Sequence, residues 1–159
     1  MRKASIYGIV LLLALLALAA CSNEQQKQSR AENLAPNHEM TASTDELPQF
    51  LSKASEDLQL VYQTAAEHKQ LLEHIPCYCG CSDDAVGHKD NYDCFVYEKK
   101  ENGEVTWDTH GMACQVCIDT AVYSIKEYNN GTEISAIREH IDNTYQGKGY
   151  PEPTPTPEI

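Results

Sequence analysis

Apolar residues recur at helical spacing in three stretches of this chain and give way to polar runs on either side. From Ser55 onward, Leu58, Val61, Tyr62, Ala65, Leu72 and Ile75 fall near one helical face, and Pro76 ends the run. Pro48 suits the first turn of a shorter helix carrying Phe50 and Leu51. After Gly111, Cys114, Cys117, Ile118, Ala121, Val122 and Ile125 share a face of another helix, which Asn130-Gly131 closes. Thr132 can cap the next, whose apolar stripe is Ile134, Ile137, Ile141 and Tyr145. Residues 77–93 contain Gly80, Gly87 and several Asp and Asn, and read as loop. In CFVYEKKENGEVTW, Asn102-Gly103 separates two β-prone runs, which predicts a hairpin turn. The expected fold is therefore mostly α: a small helical domain with a Cys-rich loop and one short β-hairpin. Trp107, Tyr92 and Tyr97 are expected to pack its core.

The two ends of the chain have a different character. Arg2 and Lys3 precede an almost unbroken apolar run, Ile9 to Leu18, and small residues lead into Cys21. This is a secretory signal layout with an apolar core too short for a comfortable spanning helix, and its junction reads as a bacterial lipobox. Residues 1–20 are thus expected as a lipoprotein signal peptide, with cleavage before Cys21, diacylglyceryl on its sulfur and an acyl chain such as palmitate on the new N-terminus. Two or more chains make a stable anchor where one binds marginally. Residues 21–46 have few large apolar side chains and no clean period, so a flexible tether is expected there. Residues 148–159 alternate proline with polar residues and are expected as a Pro-rich disordered tail. Residues 47–147 remain as one small domain.

Charge narrows the partners. Loss of Arg2 and Lys3 with the leader leaves 10 Lys and Arg against 24 Asp and Glu, shifting the formal charge from −12 to −14. Nucleic acid is excluded as a partner, because its binding rests on basic side chains neutralising phosphates. Docking on anionic lipid by a polybasic patch is excluded on the same ground. Acidity suits a domain held near a membrane by lipid, and it attracts cations modestly.

With Cys21 assigned to lipid, Cys77, Cys79, Cys81, Cys94, Cys114 and Cys117 remain. Six thiols in a small exported domain allow fifteen disulfide pairings. A bridge between cysteines two apart, however, closes a strained ring and removes little unfolded-state entropy. Metal ligation accounts for the spacing more directly. Gly80 permits the bend that turns alternate thiolates toward one centre. Cys114 and Cys117 project to one side at a helix start, where the thiolate form is favoured. His88 lies between Cys81 and Cys94, and Gly111 lets the chain fold so that His110 approaches Cys114. The candidate ligands are Cys77, Cys79, Cys81, His88, Cys94, His110, Cys114 and Cys117. This sulfur-dominated set suits a copper or zinc ion, not calcium or magnesium. Eight ligands could serve two tetrahedral sites or a thiolate cluster.

Competing readings exist for several of these residues. His88 could stabilise a turn, and His38, His68, His74 and His140 are expected at the solvent-facing surface. Asp83, Asp84, Asp90 and Asp93 do not follow the calcium-loop pattern and are read as a solvated loop. Cys114-Gln115-Val116-Cys117 resembles a thiol–disulfide exchange centre, although no βαβ pattern surrounds it. No Ser–His–Asp or paired-carboxylate arrangement stands out, so no catalytic residue and no enzyme is expected.

The stretches IPCYCGC, GHKDNYDCF and WDTHGMACQVCIDTA together resemble the bacterial PCYCGC-motif lipoproteins, found mainly in Gram-positive organisms. The resemblance spans roughly Leu47 to Tyr145. It implies a lipobox, a disordered tether and one domain displayed outside the cytoplasmic membrane, and its pattern covers all eight candidate ligands. It implies no activity. The expectation is a protein lipid-anchored to the extracytoplasmic face of the cell membrane. It would bind a soft or borderline metal, copper ahead of zinc, for buffering, sensing or transfer to a protein partner. The alternatives are a thiol–disulfide redox protein using Cys114 and Cys117, or a structural disulfide domain that binds a partner.

Overall fold

The computed structural model describes residues 34–82 and 86–159. The expected signal peptide, Cys21 and the first part of the expected tether lie outside the described residues, as do Asp83 and Asp84. Within them, the helical pattern folds much as its periodicity requires. A 3-10 turn at Gln49–Leu51 follows Pro48, and helix α1 runs Glu56–Glu67 with the Ser55 hydroxyl accepting the Leu58 N–H at 3.2 Å. The run expected to continue to Pro76 is broken at His68, and a single further turn, α2, spans Lys69–Leu72. Helix α3 occupies Gln115–Asn129 and α4 Ile134–Tyr145. Between these two, Gly131 takes φ +87°, and the Thr132 N–H donates to the Glu127 carbonyl at 3.0 Å.

The fold is not mostly α. A three-stranded antiparallel sheet of order β1-β3-β2 packs with the helices, so the domain is mixed α and β. Strands β2 (Val96–Lys99) and β3 (Val105–Asp108) form the expected hairpin, with Gly103 at φ +94° in its turn. The unexpected strand is β1, His38–Thr41, which falls in the stretch read as tether. It pairs with β3 so that His38 stands opposite Asp108 and Thr41 opposite Val105. This makes β3 the central strand, and all four of its residues are buried. The sequence HEMT has no apolar alternation, so its strand character comes from pairing with β3.

Residues 36–159 form one compact unit, wider at both ends than the expected 47–147. The Pro-rich tail is docked rather than disordered. Thr154 is buried, and the Arg138 guanidinium donates to the Pro157 carbonyl at 2.7 Å. The core gathers Leu51, Tyr62, Phe95 and Trp107, with Tyr62 edge-on to Phe95 at 5.1 Å. Trp107 and Tyr92 pack inside as expected, but Tyr97 is exposed and lies at the irregularity in β2–β3 pairing between Val96 and Glu98. Among the described residues no helix is long and apolar enough to cross a membrane.

Candidate metal centre

Three segments deliver the thiols to one place. Ile75 and Pro76 end the helical run, and Cys77 follows immediately, fully buried. Gly80 takes φ +81°, a left-handed conformation that turns the PCYCGC segment back on itself. The His88 N–H then donates to the Cys81 carbonyl at 2.9 Å and closes the loop. Cys94 ends the 3-10 turn Tyr92–Cys94, and Cys114 is the N-cap of α3 with Cys117 in its first turn. The Cys117 N–H donates to Cys114 Sγ at 3.3 Å, so the helix terminus orients that sulfur.

Cys77 is the hub. Its Sγ lies 2.9 Å from Cys79 Sγ, 3.4 Å from Cys94 Sγ and 3.5 Å from Cys117 Sγ. Cys114 Sγ is 2.7 Å from Cys117 Sγ. The sulfurs of Cys77, Cys79, Cys94 and Cys117 all lie within 4.8 Å of one another, a group able to hold a metal ion. Among the described residues, all six cysteines are free of disulfides. A tetrahedral zinc with bonds of about 2.3 Å sets its sulfurs roughly 3.8 Å apart, so this spacing is of the right order.

The histidines gather elsewhere. His88, Asp108 and His110 form a second group with ligand atoms within 4.8 Å. His110 Nδ1–H donates to Asp108 Oδ1 at 2.5 Å, and His38 Nε2–H donates to Asp108 Oδ2 at 2.9 Å. Of the eight candidate ligands, four cysteines fall in one group, and His88 and His110 fall in another with Asp108, which was not among the eight.

A family model described as a protein of unknown function with PCYCGC motif matches residues 9–159. The chain belongs to the PCYCGC-motif family. No curated protein and no solved structure matches it.

In this PCYCGC protein the thiols divide by proton affinity. Hydrogen bonds with Cys117, Cys79 and Cys94 hold Cys77 well below the ordinary thiol range. Cys79 is brought down to about 3 by hydrogen bonds from Cys114 and then Cys117. The donors move the other way. Cys117 is raised by its contacts with Cys114 and Cys77, and Cys81 is raised first by burial and then by Cys79. The hydrogen bond with Cys117 favours the Cys94 thiolate, but Cys77, Cys79 and burial outweigh it and push Cys94 up. Cys114 follows the same pattern, favoured as thiolate by Cys117 yet raised by Cys79 and burial. Neighbouring thiols thus favour ionisation at Cys77 and Cys79 and oppose it at the other four, and ionising all six without a cation would set like charges side by side.

Cys81 and Cys114 lie beside the four-sulfur group, not within it. His110 is grouped with Asp108 and His88, not with the cysteines. A Cβ at Gly111 would stand 2.7 Å from Phe95 Cδ1 and 2.9 Å from the Cys94 carbonyl oxygen, so the glycine serves close packing. His38 is not a surface residue either, because strand pairing seats it against Asp108. Asp90, read as part of a solvated loop, is buried, and burial followed by the Asp93 charge raises it to about 7.

Three participants went unread in the sequence. Asp108 lies at the end of the hairpin, and its position two before His110 is the one local signal for its role. Asn91 is fully buried, donating its N–H to the Ile75 carbonyl at 2.9 Å and its Nδ2–H to the Cys117 carbonyl at 3.2 Å. It thereby ties the PCYCGC segment to α3. Thr154 is the third, and it reaches Cys77 from the far end of the chain.

Proposed function

We propose that this PCYCGC protein is a lipid-anchored, extracytoplasmic metal binder that takes a soft ion at Cys77, Cys79, Cys94 and Cys117. The observation that carries the reading is the convergence of three thiols on Cys77 Sγ, at 2.9, 3.4 and 3.5 Å. A set of four sulfur donors, three of them buried, suits Cu(I) ahead of Zn(II), since thiolates select soft ions. Cys114, 2.7 Å from Cys117, and Cys81 supply further sulfurs, more than one tetrahedral ion needs. Cu(I) accepts fewer ligands per ion and tolerates bridging sulfur, which would use that surplus. The role is binding without catalysis: buffering, sensing or hand-off to a protein partner. Lipid on Cys21 would keep the site at the outer face of the cytoplasmic membrane.

The 2.7 Å approach of Cys114 and Cys117 favours a second reading as a thiol–disulfide redox pair. Elemental analysis with thiol counting separates the two. Full-length protein from an exporting host should carry stoichiometric copper or zinc, with thiols that react only after metal removal. Metal-free protein with one readily reducible disulfide would favour the redox pair, and three disulfides would rule out both.

A further inference from the structure

We infer that His88, Asp108 and His110 form a second cation site, independent of the thiolate cluster, for a borderline divalent ion of the zinc type. The carboxylate is fully buried and already oriented. Asp108 Oδ2 accepts from Asn37 Nδ2 at 3.0 Å and from His38 Nε2 at 2.9 Å, while Oδ1 accepts the His110 N–H at 2.7 Å. Such outer hydrogen bonds fix a ligating carboxylate in place. His88 and His110 stand with ring centroids 4.8 Å apart and planes nearly perpendicular, so their nitrogens approach the carboxylate from two directions.

His88 is the group that needs a ligand. It is 6% exposed, and its Nδ1 has no hydrogen-bond partner. Its Nε2 points at Asp108 Oδ2 from 3.6 Å, too far for a hydrogen bond. With Nε2 beyond hydrogen-bond reach of the buried carboxylate, a cation between the two would give that nitrogen and Asp108 Oδ2 a shared partner. His110 offers the way in, being 29% exposed at its side chain. Two imidazoles and one carboxylate are borderline-to-hard donors, so this site selects against the soft Cu(I) proposed for the thiols.

The test is zinc titration of the full chain in detergent, with cobalt as a spectroscopic probe. Cobalt on thiolates gives intense sulfur-to-metal charge-transfer bands, and cobalt on nitrogen and oxygen does not. His110→Ala, at an accessible position, and His88→Gln should each remove one zinc per chain, weakening its binding at least about tenfold. The thiolate bands should be unchanged. Zinc stoichiometry and affinity equal to wild type in both variants would overturn the site. Loss of the thiolate bands in both would overturn it too, since the histidines would then serve the sulfur cluster. Absence of those bands in the wild type, with histidine-dependent zinc retained, would instead count against the thiolate reading alone.

Discussion

Thr154 holds Cys77 from both sides of its backbone: the threonine Oγ1 accepts the Cys77 N–H at 2.8 Å, and the Thr154 N–H donates to the Cys77 carbonyl at 3.0 Å. The two residues are 77 positions apart in sequence. The tail thus fixes the hub of the thiol cluster, and Pro151 packs beside Gly80 in the same segment. Thr154→Ala should leave the buried Cys77 N–H without its acceptor, at a cost of about 1–3 kcal/mol. Urea unfolding should show that loss, and a thiol reagent should react faster with the metal-free protein. Thr154→Ser, which keeps the oxygen, should restore most of both; equal losses in the two variants would contradict the assigned bond.

Gly111→Ala should act on the cluster through the core. The added methyl would meet Phe95 and the Cys94 carbonyl oxygen inside contact distance, and Cys94 is one of the four sulfur donors. Overpacking of this kind typically costs about 1–3 kcal/mol. Thermal unfolding should register that loss, together with weaker metal binding, because the backbone at Cys94 must shift. Wild-type stability would show that this packing is looser than described.

Much of this was legible locally, and what was not depended on distant pairing. The helix faces of Leu58–Ala65, Cys117–Ile125 and Ile137–Tyr145 could be read because their burial repeats at the helical period within a few turns. Ser55, Asn102-Gly103 and Asn130-Gly131 signalled their caps and turns by local backbone chemistry. Strand β1 could not be read, because HEMT has neither alternation nor β-branched apolar residues, and its partner lies about 70 residues away. The same pairing hid the role of His38. Residue type was enough to pick out the cysteines, but the separation of sulfur from imidazole follows from where Cys94 and β3 sit in the core. The buried Thr154 was masked by a tail whose composition alone argues for disorder.

Cys21→Ser tests the anchor separately from the site. The variant should leave the membrane fraction and appear soluble outside the cell, with metal stoichiometry equal to that of the lipidated protein. Retention in the membrane fraction would remove Cys21 as the attachment point. Loss of metal would mean that the anchor and the site are coupled.

The central claim is that Cys77 is the hub of a thiolate metal site. Its most direct test is the metal content of Cys77→Ser beside wild type, purified together from an exporting host, with near-ultraviolet circular dichroism to establish that the core is intact. The account predicts loss of copper or zinc from the four-sulfur group, with the aromatic signal of Tyr62, Phe95 and Trp107 preserved. Metal content equal to wild type in a folded Cys77→Ser protein would contradict it.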